Sequence, residues 1–140
     1  EILGTDISEK VLEIAGSGRY TEYSLRTTAP LVRQRYFKSD GLYSVLDESV
    51  KSMVSFELHN LRDRAGARRH GLWDVIFCRN VMIYFDDAMK KQVLGTFADQ
   101  LAPDGTLFIG HSETIKAGEA PFVQLPHPQG FCYRKQSVKA

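Results

Sequence analysis

Apolar positions along the chain fall into short strand-like runs and one strongly periodic segment. Residues 73–78 form a nearly continuous apolar run of strand length, as expected for a strand covered on both faces in a parallel sheet. In residues 88–101, Met89, Val93, Leu94 and Phe97 recur at spacings of three or four, which predicts a helix that residues 103–105 end. Residues 106–110 predict a second buried strand.

The rest of the chain predicts shorter elements. Residues 2–6 read as a strand, Ser8 as the N-cap of a helix that Gly16 and Gly18 end, and Pro30 as the start of a second helix. Residues 42–46 and 53–58 read as two strands joined by a polar segment, residues 62–70 as a loop or frayed helix, and residues 131–134 as a last strand. This alternation of strands and helices predicts an α/β fold with a mainly parallel sheet.

Composition and charge narrow the class of protein. The 140 residues are 43% hydrophobic and 25% charged with a net charge of +1, which is typical of one globular domain without a global field for nucleic acid or membranes. The longest uncharged apolar stretch, residues 81–85, is far shorter than the roughly 20 residues of a membrane span. No signal peptide is evident, and two cysteines, Cys78 and Cys132, favour a reduced, cytoplasmic location.

Polar residues follow three predicted strands, and ligands of such sheets gather at the carboxyl ends of strands. Asp6 can accept the hydroxyls of a ribose, or it can help cap the following helix. Asn60 can pair with an adenine edge beside Leu61, or it can be an ordinary turn residue. Arg79 and Asn80 are costly to bury without partners, which favours a functional role. Arg79 could instead pair with an acid, the candidates being Asp86 and Glu113.

Two other kinds of site find little support. His111, Ser112 and Glu113 superficially suggest a hydrolase, but they are neighbours in the sequence and no G-x-S-x-G nucleophile motif is present. The histidines and cysteines lack the spacing of metal ligands, so no metal site is predicted.

Several segments together resemble a known family. The residues that carry the resemblance are T-D-I-S at 5–8, F-E-L-H-N-L at 56–61, W-D-V-I-F-C-R-N-V-M-I-Y-F at 73–85, L-A-P-D-G at 101–105 and G-H-S-E at 110–113. They occur in the order found in CheR-type chemotaxis receptor methyltransferases. The resemblance extends over about residues 2–134, and the segments at 77–85 and 110–113 are specific to that family.

The resemblance implies a Rossmann-like methyltransferase fold that binds S-adenosylmethionine and yields S-adenosylhomocysteine. It implies methylation of glutamate side chains on the cytoplasmic domain of chemoreceptors, giving glutamyl methyl esters. By position, Asp6 would hold the ribose hydroxyls, and Asn60 and Leu61 would contact the adenine. The methionine end of the cofactor would lie against three consecutive residues, Arg79, Asn80 and Val81. Tyr84 would be the catalytic residue, beside the methyl group and the incoming carboxylate.

The chain departs from the family pattern in two ways. It begins at what should be the second strand, without the first strand, the glycine-rich loop and the N-terminal helical domain, so residues 1–140 are interpreted as a fragment of the catalytic domain. The missing strand would expose a sheet edge, which predicts weak cofactor binding and pairing with another chain. Residues 38–58 correspond to a small antiparallel β-subdomain with which some members hold a receptor peptide, but the compact turn here predicts no peptide tethering.

Three other functions remain as alternatives. A methyltransferase-like domain that has lost catalysis would serve as a binding module in signalling. An RNA methyltransferase is suggested by the basic stretch 62–70, but a charge run is usually a solvated face, and N-P-P-Y, the motif of amino-group methylases of nucleic acid, is absent. A dehydrogenase would need a glycine fingerprint that the sequence lacks. We therefore expect no nucleic-acid partner and no insertion into a membrane.

Overall fold

The computed structural model describes residues 1–127 and 130–136. These residues divide into two compact units, residues 1–60 and the described residues from 61 onward, each with its own sheets. None of the described helices is long and apolar enough to cross a bilayer.

The first unit begins with a strand and a helix that the sequence predicts correctly. Strand β1 (Ile2–Asp6) is followed by helix α1 (Glu9–Ser17). The Ser8 side chain accepts a hydrogen bond from the Val11 backbone N–H, which confirms the predicted N-cap. Gly18 ends the helix with φ 63°, a left-handed conformation that glycine adopts without steric cost.

A small antiparallel sheet forms the middle of the first unit. Its strands are β2 (Arg19–Thr21), β3 (Phe37–Asp40) and β4 (Tyr43–Leu46), in the order β2-β4-β3. The turn between β3 and β4 contains Gly41 with φ 61°. Helix α2 (Pro30–Tyr36) precedes β3 and begins at the predicted proline, since proline suits the first turn of a helix.

The predicted antiparallel subdomain of residues 38–58 is wrong in its last strand. Strand β5 (Val54–Leu58) pairs in parallel with β1, with Asp6 opposite Leu58, and not with β4. The polar segment after β4 is a short helix, α3 (Glu48–Lys51), capped by Asp47, rather than a hairpin turn. Because alternation of polar and apolar residues is the same in both kinds of pairing, it identified the strand but not its partner.

The second unit contains a four-stranded mixed sheet. Its order is β6 (Trp73–Cys78), β7 (Leu101–Ile109), β9 (Cys132–Lys135) and β8 (Phe122–Gln124). Strands β6 and β7 are parallel, whereas β9 runs antiparallel to both β7 and β8. The prediction of a mainly parallel sheet is therefore correct for the pairing of β1 with β5 and of β6 with β7. It is wrong for β8 and β9, which pair in the antiparallel direction. In the described ranges β1 and β6 each have one strand neighbour, so both are edge strands.

In the second unit, helical segments precede this sheet and connect its first two strands along the chain. Helix α4 (Arg64–Ala67) and a 3₁₀ turn (Arg68–His70) precede β6, and a second 3₁₀ turn (Met82–Tyr84) follows it. Helix α5 (Asp87–Gln100) confirms the predicted periodic helix. Residues 103–105 lie inside β7, where the pairing jumps from Trp73–Leu101 to Val75–Thr106, so they form a bulge in the strand rather than a separate loop.

The core of the second unit lies between α5 and the sheet. The largest fully buried side chains are Val93 and Leu94 from the helix and Leu101, Leu107 and Ile109 from β7. Tyr133 from β9 joins the same cluster. This packing holds the carboxyl ends of β6 and β7 in place, and the polar motifs of the sequence follow those two ends.

Candidate active site

The segment after β6, which we call the 79–84 loop, contains a left-handed residue and a 3₁₀ turn. Asn80 has φ 60°, and it is the one residue other than glycine with a left-handed backbone in residues 1–127 and 130–136. The 3₁₀ turn that follows presents Tyr84 to solvent, with 82% of its surface exposed. The loop therefore offers polar side chains at the carboxyl end of β6, as the sequence predicts. The expectation that β6 is covered on both faces is wrong, because Val75 and Phe77 are 45% and 70% exposed and only Cys78 of the strand is buried.

One buried carboxylate fastens this loop to the end of β7. Glu113 is only 7% exposed, and both of its oxygens accept hydrogen bonds from backbone N–H groups. Oε2 accepts from Gly110 at 2.6 Å and Asn80 at 2.9 Å. Oε1 accepts from Met82 at 2.8 Å and Val81 at 3.1 Å. The sequence considered Glu113 only as a partner for Arg79 or part of a hydrolase trio, and it missed this arrangement.

Gly110 packs directly against the same carboxylate. A Cβ atom at this position would clash with Asn80 Oδ1 and would lie 2.8 Å from Glu113 Oε2 and 2.9 Å from the Asn80 backbone nitrogen, so a larger residue would force these groups to move. Glycine is therefore required for the close approach of the two strand ends. The G-x-x-E pattern of residues 110–113, a glycine after a buried strand and an acid three residues on, was the available signal for this contact.

Arg79 does not pair with either acid that the sequence suggested. Asp86 caps α5 by accepting from the Met89 N–H at 2.7 Å, and Glu113 accepts from backbone groups. Arg79 is exposed, and within residues 1–127 and 130–136 no ion pair includes it. Its guanidinium is thus available to an anionic ligand.

Asp6 and Asn60 follow neighbouring strands of the first unit. Asp6 Oδ1 accepts from the Ser8 N–H at 2.9 Å, so the capping role considered from the sequence is present. Its Oδ2 has no protein partner in the described part of the chain, which leaves one carboxylate oxygen for a ligand. The Asp6 carbonyl accepts from the His59 N–H at 2.9 Å, which brings the two strand ends together, and the exposed Asn60 follows directly.

The two remaining predicted contacts, Leu61 and Val81, differ in their environment. Leu61 is half-buried and packs against the core of the second unit, so its position is explained by packing as well as by a ligand. Val81 is 37% exposed, and its backbone N–H belongs to the Glu113 arrangement. The structure thus groups Arg79, Asn80, Val81 and Tyr84 in one loop of the second unit and Asp6 with Asn60 in the first.

The other chemistry suggested by the sequence finds no support in the geometry. His111 and Ser112 are exposed, while Glu113 is committed to backbone groups. Burial raises the pKa of the Cys78 thiol to about 12, and the charge of Glu113 adds to this rise, which makes a thiolate nucleophile unfavourable. Across residues 1–127 and 130–136, no group of three His, Cys, Asp or Glu side chains could hold a metal ion.

Acidic side chains neutralise part of the basic stretch that suggested RNA. Asp99 on α5 forms ion pairs with Arg64 at 2.5 Å and Arg68 at 3.5 Å, and the pKa of Asp99 is lowered chiefly by the hydrogen bond from Arg64. Two of the arginines are therefore engaged within the protein, as expected for a solvated helical face.

The polar groups of the two units differ in their chemistry. In the first unit, a carboxylate oxygen of Asp6 can accept from hydroxyl groups, and the amide of Asn60 has both donor and acceptor atoms. In the second unit, the guanidinium of Arg79 can pair with a carboxylate, and the amide of Asn80 has both donor and acceptor atoms.

Comparison with known proteins identifies the family. The family model described as the SAM-binding domain of CheR methyltransferase matches residues 1–131. Chemotaxis protein methyltransferase 2 of Vibrio cholerae is 38% identical over 117 residues, which cover 82% of this chain and 40% of that protein. The chemotaxis protein methyltransferase of Escherichia coli is 39% identical over 130 residues, covering 87% of this chain and 44% of that protein.

A relative with a different name also matches. The probable biofilm formation methyltransferase WspC of Pseudomonas putida is 35% identical over 130 residues, which cover 93% of this chain and 31% of that protein. The chain spans less than half the length of these three relatives. The matches confirm the family resemblance and the cofactor, S-adenosylmethionine, that the sequence motifs imply. The chain belongs to the CheR methyltransferase family, and it matches the SAM-binding domain of that family.

Proposed function

We propose that the protein transfers the methyl group of S-adenosylmethionine to glutamate side chains on the cytoplasmic domain of chemoreceptors, forming glutamyl methyl esters. The observation that carries the proposal is the 79–84 loop, in which Arg79, Asn80 and Tyr84 have exposed side chains at the carboxyl end of β6. Membership of a methyltransferase family and two relatives named for chemotaxis support it.

The residues act by binding and orienting. Asp6 Oδ2 binds the ribose hydroxyls, and Asn60 and Leu61 contact the adenine. Arg79 and Asn80, with Val81, hold the methionine end, where a guanidinium pairs well with a carboxylate. The bound cofactor supplies a methyl group made electrophilic by the sulfonium.

A carboxylate substrate makes few demands on the protein. A glutamate side chain is ionised at pH 7, so no general base is needed to activate the attacking oxygen. Catalysis then consists of in-line positioning of that oxygen and exclusion of water. Tyr84 suits this task because its side chain is exposed, its phenol could orient the carboxylate, and an aromatic ring attracts a nearby cation such as the sulfonium would be.

The proposal is tested by methyl transfer from tritiated S-adenosylmethionine to membrane vesicles that contain chemoreceptors. Mild base should release the label as methanol, because a methyl ester hydrolyses where an N-methyl group does not. Tyr84→Phe should lower kcat about tenfold, and Asp6→Asn should raise the KM for S-adenosylmethionine about tenfold or more, the usual cost of a lost hydrogen bond to a charged group.

A matched control keeps the assay specific. Tyr23→Phe changes a tyrosine of similar exposure, 74%, that lies outside the candidate site, and it should leave both constants unchanged. Binding of the cofactor without any base-labile label would contradict the proposal and favour the catalytically inactive binding module. Label on RNA instead of receptor would favour the RNA methyltransferase.

A further inference from the structure

Glu113 is the one buried acidic side chain in residues 1–127 and 130–136, and no basic side chain forms an ion pair with it there. Burying an unpaired carboxylate is unfavourable unless hydrogen bonds replace the lost water. The four N–H groups of Gly110, Asn80, Val81 and Met82 provide that replacement. The side chain is therefore satisfied only when two separate segments of the chain are held together.

These four bonds determine the course of the 79–84 loop. Three consecutive N–H groups of the loop point at one carboxylate, and Asn80 must take a left-handed backbone to allow this. Residues other than glycine rarely adopt that conformation unless their surroundings impose it. The fourth bond fixes the carboxylate to Gly110 at the end of β7, and the lack of a Cβ there lets the Asn80 side chain approach.

We propose that Glu113 is a positioning residue, which holds the 79–84 loop in the conformation that binds S-adenosylmethionine. It acts through backbone groups of the loop, so it sets how Arg79, Asn80 and Tyr84 are presented without itself reacting. This inference rests on the proposed function, because it assigns the cofactor to that loop. A loop that is already ordered loses less conformational freedom when the cofactor binds. The hydrogen bonds of Glu113 should therefore increase the affinity of the protein for S-adenosylmethionine.

The direct test is Glu113→Gln in the intact protein. The amide keeps the size of the side chain but replaces one accepting oxygen with an NH₂ group, which meets N–H donors and cannot bond them. Hydrogen exchange at the amides of Asn80, Val81, Met82 and Gly110 should accelerate about tenfold or more. The KM for S-adenosylmethionine should rise about tenfold, while kcat changes less than threefold.

Glu119→Gln is the matched control. Glu119 also accepts a backbone hydrogen bond, from the Lys116 N–H at 2.9 Å, but it lies in a different turn of the same unit. This variant should leave the four amides and both kinetic constants unchanged. Unchanged hydrogen exchange at the four amides in Glu113→Gln would show that Glu113 does not hold the 79–84 loop. Faster exchange with an unchanged KM would show that Glu113 has no role in cofactor binding.

If Glu113→Gln accelerates hydrogen exchange throughout the second unit, a second pair of variants tests the inference instead. Gly110→Ala places a methyl group against Asn80 and Glu113, whereas Gly95→Ala adds one to α5 where no atom lies within 4 Å. The first should raise the KM for S-adenosylmethionine and the second should not; equal values would overturn the inference. If the wild-type protein binds the cofactor but methylates no receptor, the proposed function fails. The role of Glu113 can still be tested in that case by hydrogen exchange and by the affinity for S-adenosylmethionine measured by calorimetry.

Discussion

The two units of the chain are built from different interactions. Residues 61–136 contain a buried cluster in which Leu94, Leu107 and Ile109 are almost completely removed from solvent. In residues 1–60, all of which the structure describes, Leu25 is the only hydrophobic side chain classed as buried, and Leu31 and Leu42 are 78% and 89% exposed. A packed core thus accounts for one unit and not for the other.

Local hydrogen bonds and surface ion pairs take a larger part in the first unit. Arg19 pairs with Asp40 at 2.6 Å across its small sheet, and Arg33 pairs with Glu22 at 2.5 Å. Exposed pairs of this kind are each worth no more than about 1 kcal/mol, whereas burying one leucine is worth about 2 kcal/mol. The free energy of unfolding should therefore respond very differently to the same kind of substitution in the two units.

Truncating a core leucine should give the largest effect. Leu107→Ala removes a side chain with no exposed surface and leaves a cavity, so the free energy of unfolding should fall by about 2–5 kcal/mol. Leu31→Ala, the same change at an exposed position of the first unit, should alter it by less than about 0.5 kcal/mol. Urea denaturation followed by circular dichroism measures both values, and comparable losses would show that Leu31 is covered in solution.

The elements that the sequence predicted well are those with a pattern of their own. The periodic residues of α5 report burial on one face of the helix, and Ser8 and Pro30 mark where helices begin. The continuous apolar run of β6 identifies a strand, although only Cys78 of that strand is buried. Strand pairing leaves no such local trace. Strand β5 pairs with β1, whose residues lie more than 50 positions earlier, and nothing in its own sequence distinguishes that partner from β4.

In the candidate site, too, some residues can be recognised from their neighbours in the sequence, and others only from contacts with distant positions. Arg79 and Asn80 stand out because polar residues directly follow an apolar strand, which is visible in the sequence. The hydrogen bonds of Glu113 join it to residues 31–33 positions away, and they use backbone groups that every residue possesses. The G-x-x-E pattern can indicate the local bond to Gly110, but no side-chain pattern indicates the partners in the 79–84 loop, which only the fold identifies.

Alkaline pH should weaken the core of the second unit through Cys78. Because burial raises the pKa of this thiol to about 12 from the ordinary value of 9.0, the folded state keeps its proton where the unfolded chain loses it. Stability is therefore fully present below pH 9 and falls as pH rises toward 12, by about 2 kcal/mol at pH 10.5. Residues 1–60 contain no cysteine and cannot contribute to this loss.

The measurement compares the wild-type protein with Cys78→Ala in urea at pH 8 and pH 10.5. The variant should be less stable at pH 8, because it leaves a small cavity, but it should lose about 2 kcal/mol less than the wild type between the two pH values. Parallel losses in both proteins would mean that the thiol ionises freely in the folded state.

The smallest effects should come from the surface ion pairs, which allow the two units to be compared through solvent-accessible charges. Glu22→Gln breaks a pair in the first unit, and Asp99→Asn breaks the contacts to Arg64 and Arg68 in the second. Each change should cost less than about 1 kcal/mol, and 0.5 M NaCl should reduce the difference from wild type, since salt screens exposed charges. The pKa of Asp99 is lowered chiefly by the hydrogen bond from Arg64, so its contribution is present above the unfolded pKa and is lost as pH falls through the folded one. A larger cost for Glu22→Gln than for Asp99→Asn at low salt would indicate that the first unit, with little core of its own, depends more heavily on each of its surface pairs.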